Sequence, residues 1–161
     1  MVLAYAAQAA VPVFHAGELQ LDAAATLMDG GGHYYRNVVL QRDADGTLHV
    51  KQAEPRPLVD VHTVAVNLYA AGGTLASATI TGLTSVACVV LEEPALLRSG
   101  STFHVILAET VQEPGAVCAS LLPNQPFELA LPLPIDDLPD GTYTVDANGV
   151  TATFTLGAAT H

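Results

Sequence analysis

The sequence predicts an all-β protein: an antiparallel β-sandwich over residues 58–157, preceded by a small N-terminal β-sheet or hairpin module over residues 10–54. Three observations predict it. Helical periodicity is scarce, and apolar alternation is broken by Gly, Pro, Asn or Asp about every ten residues. Phe127, Leu129, Leu131 and Leu133 share one face at period 2, as do Val150, Ala152, Phe154 and Leu156. Asn148-Gly149, between the last two apolar runs, is the strongest hairpin signal in the chain. A chain of 161 residues is long enough for one ordinary domain and a satellite.

In the N-terminal module, residues 33–42 and 47–51 flank Asp43-Ala44-Asp45-Gly46, whose Asp-Gly supplies a tight turn and so predicts a hairpin. Glu18-Leu19-Gln20-Leu21 alternates and adds a third strand, with Asp29-Gly30-Gly31-Gly32 as a flexible connection. Three strands cannot hide one apolar face, so this sheet is expected to dock on the second part or on another chain. Of the adjacent Tyr34 and Tyr35, one ring should face the core. Glu54-Pro55-Arg56-Pro57 reads as the linker, because two prolines deny the chain ladder donors. Ala7-Gln8-Ala9 has the small-x-small form of a signal-peptidase site, which makes residues 1–9 either a leader remnant or a short N-terminal strand.

The second part offers seven candidate strands, at about 59–69, 74–82, 86–92, 101–110, 126–133, 141–147 and 150–157. Leu138-Pro139-Asp140-Gly141-Thr142-Tyr143 has the Leu-x-x-Gly-x-Tyr spacing, in which a turn delivers a tyrosine able to bond back to the preceding backbone. It resembles the tyrosine corner of Greek-key sandwiches. Together with Cys88, Phe103-His104-Val105, Cys118, Pro126-Phe127-Glu128 and Asn148-Gly149-Val150, these residues resemble the immunoglobulin-like domains that close many exported bacterial proteins of unassigned function. The resemblance covers about 80 residues, implies a fold and an exported address, and carries no catalytic residue. Val145 stands where an antibody domain would place its second cysteine, so the usual inter-sheet bridge is absent.

Two cysteines in a chain read as exported are expected to form one bridge, Cys88–Cys118, the alternative being two buried thiols. Six histidines invite a copper or zinc site, with His33, His49 and His62 as the candidates if their strands are neighbours. Scattered interstrand histidines are the commoner outcome. Asp43, Asp45 and Gly46, and the cluster Asp136, Asp137 and Asp140, lack the ligand count of a calcium loop and read as turn chemistry. There is no Trp to stack a sugar, no Gly-x-Ser-x-Gly, and no Gly-Lys-Ser/Thr ending after Gly30-Gly31-Gly32. Neither an enzyme nor a cofactor is expected.

Charge is sparse and lopsided, with 16 acidic residues against 5 basic and a net charge of −11. Nucleic acid and anionic lipid are therefore not expected partners. The mean hydropathy of +0.38 owes much to alanine, and no apolar run is long enough to span a membrane as a helix. Lys51 is the only lysine available to guard a strand edge. The expectation is a non-enzymatic exported structural or interaction module that adds strands to itself or to another exported protein. The alternative is a periplasmic copper- or zinc-binding protein.

Overall fold

In the computed structural model, residues 11–28, 31–69, 75–86, 88–111, 115 and 124–157 are described. Every regular element among them is a strand: β1 (Val13–His15), β2 (Glu18–Met28), β3 (Gly31–Arg42), β4 (Leu48–Arg56), β5 (Asp60–Tyr69), β6 (Leu75–Leu83), β7 (Ala95–Ser99), β8 (Thr102–Ile106), β9 (Pro126–Leu133), β10 (Gly141–Ala147) and β11 (Val150–Leu156). They form three sheets, ordered β1-β2-β3-β4, β5-β6-β9 and β11-β10-β8-β7.

Period-2 alternation builds the sandwich from the second and third sheets. Ala76, Ala78 and Ile80 of β6 and Leu129 and Leu133 of β9 face Phe103 and Val105 of β8, Val145 and Ala147 of β10, and Phe154 and Leu156 of β11. Three rings fill its centre, with Phe103, Tyr143 and Phe154 centroids 5.6–6.2 Å apart, a spacing at which aromatic pairs attract beyond their burial. The Arg98 guanidinium lies 5.8 Å above the Phe103 ring. Gly82 has no room for a side chain, since a Cβ there would stand 2.1 Å from the Asp60 carbonyl and 2.8 Å from the Phe127 ring.

β8 and the residues after it are buried on both faces. Phe103, Val105 and Leu107 point into the sandwich, while Ile106 and Ala108 point the other way, with Ala95 and Leu97 of β7 beside them. The N-terminal sheet docks on that second face through Tyr34, Ala23 and Ala25, with Tyr34 only 3% exposed. The approach is close enough that a Cβ on Gly32 would lie 2.6 Å from Ile106 Cγ1. The predicted docking of the small sheet and the split fate of the tyrosine pair are thus both present, and the molecule has three layers.

The structure corrects several expected elements. The N-terminal sheet has four strands, because Val13–His15 pairs with Glu18–Gln20 across a two-residue turn at Ala16-Gly17. Gly31 and Gly32 belong to β3, while residues 29–30 lie outside the described residues. The expected linker is largely strand: Glu54, Pro55 and Arg56 pair with Arg36, Tyr35 and Tyr34. A proline is tolerated there because β4 is an edge, where a missing donor can face away from the ladder. The crossing between layers is made by Pro57 to Val59, held by Glu109 N donating to the Pro57 carbonyl at 3.0 Å and Val59 N to the Leu107 carbonyl at 3.1 Å.

The expected strand at 86–92 is irregular, with Cys88 at a φ of 66° and Leu91 only bridging to Glu109. The strand of this region is instead Ala95–Ser99, just after Pro94. One pairing departs from the antiparallel rule: β10 runs parallel to β8, with Val145 opposite Phe103. β9 crosses to the other sheet between them, and the chain returns in the direction it left.

Candidate interaction site: the strand edges and the layer junction

The junction between the N-terminal sheet and the sandwich is ionic at one rim and apolar at its centre. Arg56 Nε lies 3.3 Å from Glu92 Oε1, and Arg36 Nη1 lies 3.7 Å from Glu92 Oε2. The Glu92 side chain is 10% exposed and Arg56 19%, so both charges are largely desolvated. The Arg56 Nε is off the line of a hydrogen bond and has no hydrogen-bond partner. Glu54 adds a contact to Arg56 at 3.5 Å and accepts from Asn37 Nδ2 at 2.9 Å. Beside them, burial and the nearby Glu92 carboxylate push the Tyr34 phenol above its ordinary pKa. A second buried carboxylate, Glu109, is 1% exposed and accepts from Ser85 N at 2.9 Å and from the Ser85 hydroxyl. It ties the irregular 84–94 segment to the strand that both layers share.

The edges differ in how they are protected. An edge strand carries unpaired N–H and C=O groups that another chain can use, and proline, lysine, bulges and brevity are the usual protections. β4 carries Pro55, Arg56 and Lys51, the last paired with Glu18. β9 carries Pro126 and Pro132. β7 has five residues, one of them Arg98. β5 is broken early by a bulge between Val61 and Thr63 and carries Asp60 and His62 there. From Thr63 to Tyr69, however, it has neither charge nor proline, and Leu68 and Tyr69 are exposed. β11 has neither along its whole length. β5 packs across the core against β10 and β11, so these two stretches share one flank while the prolines of β9 lie on the opposite edge of its sheet.

The residues singled out in the sequence fall as follows. Tyr143 donates from its hydroxyl to the Pro139 carbonyl at 2.7 Å, the bond expected of a tyrosine corner, and Gly141 opens its strand. Asn148 and Gly149 form the predicted turn with φ of 47° and 94°. Asn148 also does what its motif does not announce. Its Oδ1 accepts from Leu107 N at 3.1 Å, and its Nδ2 donates to the Leu107 and Val59 carbonyls at 2.7 and 3.0 Å. The amide thus pins the last hairpin to the layer crossing. The only sequence signal was that Asn, rather than Asp or Gly, fills the first turn position.

His33, His49 and His62 do not converge. His33 stacks on Tyr35, His49 pairs with Asp43 at 2.8 Å, and His62 pairs with Asp60 at 3.2 Å in a different sheet. His49 is opposite Gln41, eight residues along β3 from His33, a separation of about 26 Å in an extended strand. Among the described residues, no group of three His, Cys, Asp or Glu side chains could hold a metal ion. Asp43 and Asp45 are turn residues: Asp45 accepts from Thr47 N at 2.9 Å, and that bond holds its carboxyl below the usual pKa. Cys118 and residues 1–9 lie outside the described residues. No helix among the described residues is long and apolar enough to cross a membrane.

The strands β6 to β11 carry the one recognisable likeness. Residues 78–156 match the family model of the ORF11 beta-sandwich domain. The matched stretch starts within β6 and ends with β11, leaving β5 and the N-terminal sheet outside it. No curated protein and no solved structure matches the chain. The likeness therefore speaks for a β-sandwich domain and assigns it no activity.

Proposed function

We propose that this chain is a non-enzymatic, exported structural or interaction module that joins itself, or another exported protein, by strand addition along the flank formed by β5 and β11. The observation that supports the reading is the unequal protection of the edges: prolines on β4 and β9 with Lys51 and Arg56 on β4, and seven uncharged, proline-free residues on each strand of this flank. Export rests on Ala7-Gln8-Ala9 and on the resemblance to exported immunoglobulin-like domains. A Cys88–Cys118 bridge fits that address, and no cysteine among the described residues is a free thiol.

Light scattering coupled to size exclusion tests the association. The chain is expected to exceed its monomer mass of 16.6 kDa as concentration rises. Ala65→Lys with Thr153→Lys, both at exposed edge positions, should return it to that mass with its β-sheet circular dichroism unchanged. A monomer at every concentration rejects self-association. Intact mass after alkylation, with and without reductant, tests the bridge; two alkylated thiols without reductant reject it.

A further inference from the structure

We infer that the half of the N-terminal sheet that overhangs the sandwich is the docking face for a second copy of this chain, each arm covering the other across a two-fold axis. The docked half is the end that carries Gly32, Tyr34, Ala23 and Ala25. One step outward, Leu21 lies opposite Val38, and Val38 is still buried. The next row crosses all four strands, with Phe14 opposite Leu19, Leu19 opposite Leu40 and Leu40 opposite Val50. Opposed residues share a face and alternate residues return to it, so this row, and Leu48 beyond it, point the same way as Tyr34. Here the cover ends: Phe14 is 58% exposed, Val50 67%, and Leu48 is exposed as well. The sandwich thus covers one half of a continuous apolar face and leaves the other half bare.

Charge selects the occupant. From Leu58 on, the chain holds ten acidic residues and one basic, so two sandwiches repel one another; before it, six acidic and four basic residues nearly balance. Two copies therefore meet with least repulsion at their arms. The turns at Ala16-Gly17 and at residues 43–47 both lie at the free end of the arm. In an isologous pairing the free end of one arm meets the base of the other. Arg42, opposite Leu48, ends the apolar face at the free end. Glu93 stands at the base, in a cleft of about 420 Å³ that it lines with Leu21, Ala23 and Pro94. Both side chains are exposed, and among the described residues neither has an ion pair. The two-fold pairing brings Arg42 of each copy to Glu93 of the other. Sheets packed face to face lie about 10 Å apart, so each arm enters the layer that β7 and β8 occupy in the other copy.

This contact uses a sheet face and the strand addition proposed above uses the β5/β11 flank, so either can fail without the other. The bare half-sheet is smaller than a standard interface of about 800 Å² per partner, which predicts a weak dimer, with a Kd on the order of 0.1 mM, that dissociates at the dilution of size exclusion.

Sedimentation equilibrium of the full chain up to about 1 mM tests it, in the Ala65→Lys, Thr153→Lys background that removes pairing at the flank. A dimer is expected. Arg42→Glu and Glu93→Arg should each weaken it at least about tenfold, because every homodimer then sets two like-charged pairs together. An equimolar mixture of those two variants should recover the parent's affinity, since the mixed dimer holds one native pair and one reversed pair. Val50→Glu, at a position exposed in the single chain, should abolish the dimer with the β-sheet circular dichroism unchanged. A monomer at every concentration, single variants that dimerise like the parent, or a mixture that associates no better than its components overturns the proposal. Binding of the chain to phosphatidylcholine vesicles, lost in Val50→Glu, would make a lipid surface the occupant and overturn it too.

Discussion

Replacing Asn148 tests whether one amide side chain holds the last hairpin to the layer crossing. Asn148→Gly keeps the positive φ at no steric cost and deletes all three side-chain bonds, to Leu107 N, the Leu107 carbonyl and the Val59 carbonyl. At roughly 0.5–1.5 kcal/mol for each net bond, the loss is about 2–4 kcal/mol. For a chain of this length, 1 kcal/mol moves the melting temperature by roughly 2–4 °C, so a fall of about 6–12 °C is expected. Urea denaturation should show a lower midpoint with an unchanged slope. A Gly variant within about 0.5 kcal/mol of the parent would refute the reasoning.

Asn148→Asp sharpens the test, because it keeps the acceptor for Leu107 N while turning the donor into a second oxygen facing two carbonyls. An ionised carboxylate there is destabilising, so its pKa in the folded state must lie above the unfolded value of about 3.9. A group raised in this way supports the fold below its unfolded pKa and loses that support as pH rises through the folded pKa. The deficit of the Asp variant against the parent should therefore be largest at neutral pH and shrink as pH falls toward about 4. A deficit that does not change with pH would show that the amide donor has no part in the pin.

Three further outcomes follow from other contacts. Tyr143→Phe removes only the bond to the Pro139 carbonyl and should cost about 1 kcal/mol in urea denaturation. Gly32→Ala forces a methyl against Ile106 and should cost about 1–3 kcal/mol. Ile106→Ala removes the obstructing atoms, so the double variant should be less destabilised than the sum of the two single changes. Tyr34, raised by burial and by Glu92, should ionise after the exposed tyrosines in an alkaline absorbance titration. Its contribution to stability should be complete below about pH 10 and fade above it, and Tyr34→Phe should remove both effects.

The strands with one buried and one wet face were legible because alternation is written residue by residue. β9, β10 and β11 appear at their expected places, and the Asn-Gly turn and tyrosine corner followed from local chemistry. The elements that were misplaced have causes outside their own residues. Residues 86–92 are apolar and β-branched enough to read as a strand, but Val90 and Glu92 bond to Thr110 and Ala108, and Ser85 just before them is held by Glu109, all remote in sequence. Pro55 argued for a linker because a proline is costly in a paired strand; that β4 is an edge depends on which strands come together. The ionic rim had no local signature either, since Arg36, Arg56 and Glu92 are far apart in sequence and meet only when the N-terminal sheet docks. The flank of β5 and β11 was half visible: the uncharged runs could be read from the sequence, whereas their lying side by side is a matter of topology.

The boundary of the recognised domain is not the boundary of the folding unit. β6 pairs with β5 from Leu83 opposite Asp60 to Leu75 opposite Tyr69, and Val59 and Val61 are buried in the sandwich core. A stretch beginning at residue 78 lacks both valines and one whole side of the β6 ladder. The N-terminal sheet is bound in for a different reason. Ile106, Ala108, Ala95 and Leu97 face Tyr34 across the layer junction, and Arg56 faces Glu92. Without that sheet the sandwich would expose an apolar face and leave a carboxylate unpaired on a part of the chain that holds ten of the sixteen acidic residues and, of the five basic ones, only Arg98. Four basic residues precede Leu58, and two of them, Arg36 and Arg56, reach Glu92. The N-terminal sheet therefore completes the sandwich both as apolar cover and as counter-charge.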